Sequence, residues 1–219
     1  MPETFNHKGN GNFSDGFSVD TSITDDIPDA EPERVSFLRN VVDWFEVLVT
    51  AIIAVVVIFS LLFRVATIDG SSMQNTLIDG EKVIVSNLNY TPENGDIVII
   101  SRNIENSPEK QNVNNRPIIK RVIATGGQTV NIDFETGSVY VDGVMLKENY
   151  ISTPTKRRGD VAFPLYVPEG YIFVMGDNRM DSLDSRYSVI GFGGLVDTRY
   201  VLGHAVFRIF PFSKAGKLD

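Results

Sequence analysis

The sequence has 219 residues, 42% of them hydrophobic and 22% charged, a balance that supports a packed core and excludes a wholly disordered chain. The formal net charge of -8 argues against the basic surface that a nucleic-acid-binding protein needs, so we predict no nucleic-acid partner. With no cysteine and two histidines, the sequence offers no thiolate or histidine-rich metal site, and we predict no metal and no cofactor.

The negative charge is concentrated near the N-terminus. Residues 1–46 carry 10 Asp and Glu against 3 Lys and Arg, whereas the rest of the chain carries 18 against 17. Residues 1–40 are rich in Gly, Ser, Asn, Asp and Pro and contain too little apolar side-chain area to offset the entropy lost on ordering. We therefore predict a disordered acidic tail over 1–40.

An uncharged apolar run covers residues 47–63, VLVTAIIAVVVIFSLLF. A helix that adds a few flanking residues reaches about 30 Å, the hydrocarbon thickness of a bilayer. A soluble core helix would need apolar neighbours on every side, and a cleaved signal peptide would begin with a short basic segment instead of a long acidic one. The run predicts one transmembrane signal-anchor helix over 41–66. Lysines and arginines near its two ends are equal in number, so the positive-inside rule leaves its orientation open.

After the apolar run, short β-branched segments alternate with turn residues, which is the pattern of an antiparallel β domain. The segments are KVIVSNL, GDIVIISR, PIIKRVIAT, QTVNID, SVYVDGVML, GYIFVMGD and RYVLGHAVFRIF. The pair Asp142-Gly143 suits a two-residue type I′ hairpin turn. The predicted fold is thus mainly β: an antiparallel β domain over 67–213 that follows one N-terminal transmembrane helix, with a polar surface loop over 105–116 and a C-terminal tail over 214–219.

The lack of cysteine and scarcity of histidine leave Ser, Thr, Asp, Glu and Lys as candidates for hydrolytic chemistry. A Ser-His-Asp triad would need His204, which by strand alternation shares a face with Leu202 and Val206. A structural histidine is the simpler interpretation. Paired carboxylates of the glycosidase or aspartic-protease type have no distinctive pattern in the sequence.

Ser72 and Lys120 are the better supported candidates. Ser72 lies in a glycine-containing turn just after the apolar run, and Lys120 lies on a predicted strand where it shares a face with Ile118 and Val122. Desolvation by these side chains lowers the pKa of a lysine from about 10.4 and favours a neutral amine that can act as a general base. Each residue alone is ambiguous, because a serine in a polar turn is ordinarily inert and a strand lysine can extend its amine into water.

Four motifs in chain order resemble those of the type I signal peptidases, membrane-anchored Ser/Lys proteases that remove signal peptides from exported preproteins. The motifs are Gly70-Ser71-Ser72-Met73 with Thr76-Leu77, Gly95-Asp96-Ile97-Val98, Lys120-Arg121-Val122-Ile123-Ala124 with Gly126-Gly127, and Gly176-Asp177-Asn178-Arg179 with Ser182, Asp184, Ser185 and Arg186. They cover about residues 68–212 and follow a single apolar run, so the chain resembles the single-span form of this family.

The resemblance implies a role for each matching residue. Ser72 is the nucleophile, with its own backbone N–H as an oxyanion donor, and Lys120 is the general base. Ser182 orients the lysine, as the third member of a triad does. Asp184 and Arg186 form a structural ion pair that shapes the site, and Asp177 and Arg179 lie in the same loop.

The resemblance also implies a substrate preference. Family members bind the preprotein as an extended strand and place small residues, at the first and third positions before the scissile bond, in shallow apolar pockets. By position, the walls of the first pocket are Ile68, Met73, Leu77 and Ile119. Bulky side chains would clash there, which gives a small-x-small preference.

The implied partners are exported preproteins and membrane lipid, close to the secretion translocon. The implied location is the cell membrane, as a single-pass protein with a cytoplasmic N-terminus and an extracytoplasmic catalytic domain.

Two positions depart from the usual family pattern. Asn75 stands where the family usually has proline, and Gly70 stands where some members have a serine that donates to the oxyanion. The alternative function is a non-catalytic or specialised paralogue that assists the assembly of exported surface proteins, although a non-catalytic chain would be expected to lose Ser72 or Lys120. A self-cleaving repressor, another Ser/Lys protease, should have a DNA-binding helix-turn-helix and no membrane span, and this sequence shows the reverse.

Overall fold

The structure is a computed structural model that describes residues 32–101 and 116–218. The first 31 residues of the predicted acidic tail and nearly all of the predicted polar loop over 105–116 lie outside the described residues.

The described chain begins with helix α1, Pro32–Leu62. Its segment Arg39–Ser60 is long and apolar enough to cross a membrane, with a mean hydropathy of 2.5 and no part of it buried. The helix starts before the predicted boundary at 41, because proline is favourable in a first helical turn, where its missing N–H would have no partner. It ends before the predicted boundary at 66, because the residues after Leu62 form a strand that pairs with the β domain.

The β domain belongs to a compact unit whose described residues are 52–101 and 116–218. Its strands are β1 Phe63–Thr67, β2 Lys82–Ser86, β3 Ile97–Ile100, β4 Ile118–Thr125, β5 Thr129–Asp133, β6 Ser138–Val141, β7 Val144–Met145, β8 Leu165–Tyr166, β9 Tyr171–Met175, β10 Val196–Asp197, β11 Val201–Phe210 and β12 Gly216–Lys217. Two 3₁₀ helices, Thr198–Tyr200 and Phe212–Lys214, flank β11.

These strands form two antiparallel sheets within the described residues. The larger has eight strands in the order β1-β2-β11-β3-β4-β9-β10, with β12 paired to β11, and the smaller has four in the order β7-β6-β5-β8. Strand β1 therefore lies at one edge of the larger sheet, and β3 and β4 lie near its middle. The prediction of a mainly antiparallel β fold after one N-terminal apolar helix is confirmed.

Strand β3 shows how the core is built on both faces of the larger sheet. All four of its residues are buried, and they alternate between two hydrophobic clusters. Ile97 and Ile99 pack with Met73 and Leu77, whereas Val98 and Ile100 pack in a separate cluster on the other side. A third cluster joins the inward residues of the smaller sheet to β4 and β9.

All seven strand segments predicted from β-branched runs form strands, and the Asp142-Gly143 hairpin is also confirmed. Asp142 and Gly143 have φ values of 51° and 79°, as a type I′ turn requires. The predicted C-terminal tail over 214–219 contains a strand instead, because β12 pairs with Phe207 and Arg208 of β11.

Candidate active site

Ser72 lies in a closed turn between β1 and β2, formed by residues 68–81 and called the serine turn below. Its base is closed by two backbone hydrogen bonds, from Ile68 N–H to the Glu81 carbonyl at 2.8 Å and from Gly80 N–H to the Ile68 carbonyl at 3.0 Å. Gly70 has φ +99°, a conformation that favours glycine and turns the chain toward Ser72. The turn presents a half-buried Ser72 at the end of the edge strand.

Lys120 of β4 lies directly against this serine. Its Nζ donates a hydrogen bond to Ser72 Oγ at 2.7 Å and another to the Ile119 carbonyl at 2.9 Å. Lys120 is 3% exposed. A hydroxyl within hydrogen-bond reach of a buried amine is the arrangement that a Ser/Lys nucleophile and base require.

Residues 176–186, called the motif loop below, follow β9 and contact the backbone of the serine turn. The Asn178 N–H donates to the Ser72 carbonyl at 3.0 Å, and Asn178 Nδ2 donates to the Ser71 carbonyl at 3.2 Å. The Ser71 hydroxyl donates to the Asp181 carboxylate. No role was predicted from the sequence for Asn178 or Asp181, although both lie inside the last motif.

Asp184 and Arg186 form a buried ion pair within the motif loop. Arg186 Nε and Nη2 donate to the two Asp184 oxygens, each at 2.8 Å, and both side chains are fully buried. The Gly176 N–H also donates to Asp184, at 3.0 Å. Burial alone would raise the pKa of the Asp184 carboxyl, but the hydrogen bonds and charge of Arg186 outweigh burial and hold that pKa below its ordinary value.

Asp177 and Arg179 do not pair with each other. Asp177 accepts two hydrogen bonds from Arg121, both at 2.9 Å, and one from the Thr76 hydroxyl at 2.5 Å. Arg179 instead donates to the Glu148 carboxylate at 3.0 Å and 2.5 Å. Asp177 thus links the serine turn to the strand residue next to Lys120.

Arg121 and Glu148 are therefore residues that sequence reasoning missed. Arg121 lies on a buried strand, and a buried guanidinium needs a carboxylate partner. From this requirement, an ion pair of Arg121 could have been predicted from the sequence. Its guanidinium also lies 4.0 Å from the centre of the Tyr150 ring. Glu148 lies outside every motif, and the sequence carries no comparable signal for it.

Ser182 is near the site, but the structure does not bring its hydroxyl into a hydrogen bond with Lys120. The side chain is buried, and Ser182 Oγ has no hydrogen-bond partner among the described residues.

The four apolar residues predicted to form a substrate pocket gather in one region. Ile68, Met73 and Leu77 are at most 3% exposed and belong to one cluster, and Ile119 packs against it. A cavity of about 320 Å³ opens beside this cluster. Of the four residues only Ile119 lines the cavity; the other apolar lining comes from Val65, Ala66, Val85, Ile99, Pro117 and Leu202.

The sequence model of one family, described as "Signal peptidase, peptidase S26", matches residues 41–210. The chain belongs to this signal peptidase family.

The chain is also similar to individual proteins. A signal peptidase I of Bacillus licheniformis is 34% identical over 199 residues, which cover 86% of this chain and 99% of that protein. A probable signal peptidase I-1 of Synechocystis is 37% identical over 176 residues, covering 76% of this chain and 82% of that one. A crystal structure of a signal peptidase I from Enterococcus faecalis is 29% identical and covers 53% of this chain and 98% of that chain, with a TM-score of 0.40.

This signal peptidase is therefore a serine peptidase of the kind that removes signal peptides from exported preproteins. Its family is membrane-associated, in agreement with the candidate membrane-spanning segment of α1. The similarity extends through both the helix and the β domain.

His204, the histidine that a Ser-His-Asp triad would need, packs against a tyrosine. The His204 ring stacks on Tyr90 with ring centres 4.1 Å apart, and its Nδ1 is buried without a hydrogen-bond partner in the described chain. No group of three or more His, Cys, Asp or Glu side chains that could hold a metal ion occurs among residues 32–101 and 116–218.

Gly176 allows the motif loop to approach the nucleophile closely. A Cβ at this position would lie 2.3 Å from Ser182 Oγ and 2.4 Å from the Ser72 carbonyl oxygen. Because the second of these atoms is backbone, Gly176→Ala must displace the serine turn or the motif loop. We expect kcat of the full-length enzyme to fall by about 100-fold, the loss that a shift of about 1 Å can cause.

The matched control is Gly216→Ala, since a Cβ on Gly216 meets no atom within 4 Å. Cleavage of a preprotein by both variants in detergent measures the difference. Equal activity of the two variants would show that close packing at Gly176 does not hold the nucleophile.

Proposed function

We propose that the chain is a membrane-bound signal peptidase that uses a Ser72–Lys120 dyad to cleave signal peptides from exported preproteins. The observation that carries this proposal is the 2.7 Å contact between Lys120 Nζ and Ser72 Oγ, made by a lysine that is 3% exposed. A buried amine is favoured in its neutral form, which is the form that a general base needs.

The reaction follows from this contact. Neutral Lys120 accepts the Ser72 hydroxyl proton while Ser72 Oγ attacks the carbonyl carbon of the scissile peptide bond. The resulting ammonium then gives this proton to the leaving amine as the C–N bond breaks, and an ester to Ser72 remains. Neutral Lys120 then deprotonates a water molecule that attacks the ester carbonyl, and the resulting ammonium returns the proton to Ser72 Oγ as the ester bond breaks and the signal peptide leaves.

The backbone is also arranged to support the negative charge that develops on the substrate oxygen. The N–H of Ser72 is the proposed oxyanion donor. The contact of Asn178 Nδ2 with the Ser71 carbonyl holds the peptide plane that carries this N–H, and the contact of the Asn178 N–H with the Ser72 carbonyl holds the next plane. In this proposal Ser182 orients Lys120 through a contact formed during the reaction, while Asp177, Arg179, Asp184 and Arg186 stabilise the surrounding loop.

The proposed substrate binds as an extended strand along β1. This strand lies at an edge of the larger sheet, so its outer backbone groups are available for strand pairing. The 320 Å³ cavity beside β1 and Ile119 then receives small side chains that precede the scissile bond. Ile68, Met73 and Leu77 pack behind Ile119 and limit the depth of the pocket.

The proposal includes location and partners. Helix α1 anchors the enzyme in the cell membrane in a single pass, with its N-terminus in the cytoplasm and the β domain on the other side. There the enzyme meets preproteins near the translocon, in contact with membrane lipid. A non-catalytic or specialised paralogue is the alternative, and a lack of cleavage of several unrelated preproteins would favour it.

A substrate series tests this function. Full-length enzyme in detergent should cleave a preprotein with Ala at both the first and third positions before the scissile bond. Replacing either alanine by Phe should reduce kcat/KM by about 100-fold or more, because the bulky ring does not fit a shallow apolar pocket. A Phe at the second position is the matched control and should be tolerated. Equal cleavage of all four substrates would contradict the proposed pocket.

A further inference from the structure

The serine turn has a second anchor on the side away from the motif loop. Arg208 of β11 extends under the turn, where its Nη1 donates to the Thr76 carbonyl at 3.1 Å and to Glu81 Oε2 at 2.9 Å. Arg208 therefore joins a point four residues after Ser72 to the last residue of the turn.

Glu81 is a buried carboxylate that holds this arginine in place. It is 4% exposed, and its Oε2 also accepts the Ile78 N–H at 3.2 Å. Lys214 Nζ lies 3.9 Å from the other Glu81 oxygen. The carboxylate thus contacts both the arginine and the backbone of the serine turn.

Thr76 is consequently held from two sides. Its hydroxyl donates to Asp177 of the motif loop, and its carbonyl accepts from Arg208 of β11. A tight turn connects Ser72 to Thr76 and Leu77, because the Leu77 N–H donates to the Met73 carbonyl at 2.9 Å. A displacement of Thr76 would therefore be passed to Ser72 rather than absorbed by a flexible segment.

Two features of the arrangement around Arg208 lower the stability of the fold. Arg208 Nε is buried and has no hydrogen-bond partner among the described residues, and an unpaired buried N–H costs stability. The Arg208–Glu81 pair is also largely buried, with side chains 18% and 5% exposed, and removing two charges from water opposes folding. An apolar pair would avoid both costs but would leave the Thr76 carbonyl without this donor.

We infer that Arg208, held by Glu81, is a positioning residue that keeps Ser72 Oγ within reach of Lys120 Nζ. This inference rests on the proposed Ser72–Lys120 function. Arg208 lies on β11, outside the four motifs, and its role would be to align the nucleophile. Neither Arg208 nor Glu81 lines the cavity proposed for the substrate, so their effect should be on kcat rather than on KM.

Three variants of the full-length enzyme in detergent test the inference. Arg208→Met should lower kcat by about 10- to 100-fold with KM unchanged. Arg208→Lys keeps a cationic donor and should recover part of that loss. The double variant Glu81→Gln with Arg208→Met also removes the buried carboxylate charge that has lost its arginine partner, so its denaturation midpoint should rise above that of Arg208→Met while its kcat stays low.

The control is Arg199→Met, which removes an exposed arginine that pairs with the buried Asp197 of β10 and should leave kcat unchanged. If kcat of the double variant returned to the wild-type value together with stability, Arg208 would be a purely structural residue and the inference would be overturned. The variant Ser72→Ala distinguishes failure of the proposed function from failure of the positioning role. An active Ser72→Ala would overturn the proposed function itself, whereas an inactive Ser72→Ala beside a fully active Arg208→Met would overturn only the positioning role.

Discussion

Ser72→Ala and Lys120→Ala should each reduce preprotein cleavage by a factor of about a thousand or more. The first variant removes the atom that would form the acyl-enzyme, and the second removes the only described side chain that donates to Ser72 Oγ. Because the two residues act as a unit, the double variant should be scarcely slower than either single variant. The measurement is the initial rate of cleavage of an Ala-x-Ala preprotein by the full-length enzyme in detergent.

Two matched controls distinguish loss of the dyad from general damage. Ser138→Ala removes a hydroxyl from the smaller sheet, and Lys147→Ala removes an exposed lysine that follows β7. Both should retain nearly full activity. Substantial cleavage by Ser72→Ala would contradict the nucleophile assignment, and substantial cleavage by Lys120→Ala would contradict the general-base assignment.

Arg186→Met should be the most destabilising of the charge-removing variants considered. Arg186 and Asp184 are fully buried, and the substitution leaves the Asp184 carboxylate without its bidentate partner. Breaking a buried ion pair in this way costs about 3–5 kcal/mol. The free energy of unfolding should fall accordingly in urea titrations of the detergent-solubilised protein. The double variant Asp184→Asn with Arg186→Met should recover part of the loss, and no recovery would show that the unpaired charge is not the cause.

The same pair predicts how stability depends on pH. The pKa of Asp184 is lowered in the folded protein, so its contribution is fully present above the unfolded value of about 3.9 and is lost as the pH falls through the folded pKa. The stability difference between wild type and Asp184→Asn should therefore be constant near neutral pH and shrink under acid conditions. A difference that grew as the pH fell would contradict the assigned direction of the pKa shift.

Local sequence patterns predicted the long strands because each carries several β-branched residues with clear boundaries. The patterns missed β8, β10 and β12, which have two residues each and therefore show no period. They also missed β1, because its apolar residues continue the composition of the helix before it. Only its pairing with β2 distinguishes this segment from a further turn of α1.

In the candidate site, too, the sequence motifs predicted some residues, whereas contacts between distant segments were not predictable from them. Ser72 and Lys120 lie 48 positions apart, and the motifs identified them as a pair before any distance was known. The partner of Asp177 was not predictable in the same way. Asp177 pairs with Arg121, 56 positions away, rather than with Arg179 in its own loop. That choice depends on how β4 and the motif loop pack, which local spacing does not encode.

Covalent labelling identifies the nucleophile directly. Full-length enzyme would be treated with a signal-peptide-derived compound that carries a serine-directed electrophile, and the modified residue would be located by mass spectrometry. We expect one label per chain, on Ser72, and none in Ser72→Ala. A label on any other residue, with the same stoichiometry in Ser72→Ala, would show that Ser72 is not the nucleophile.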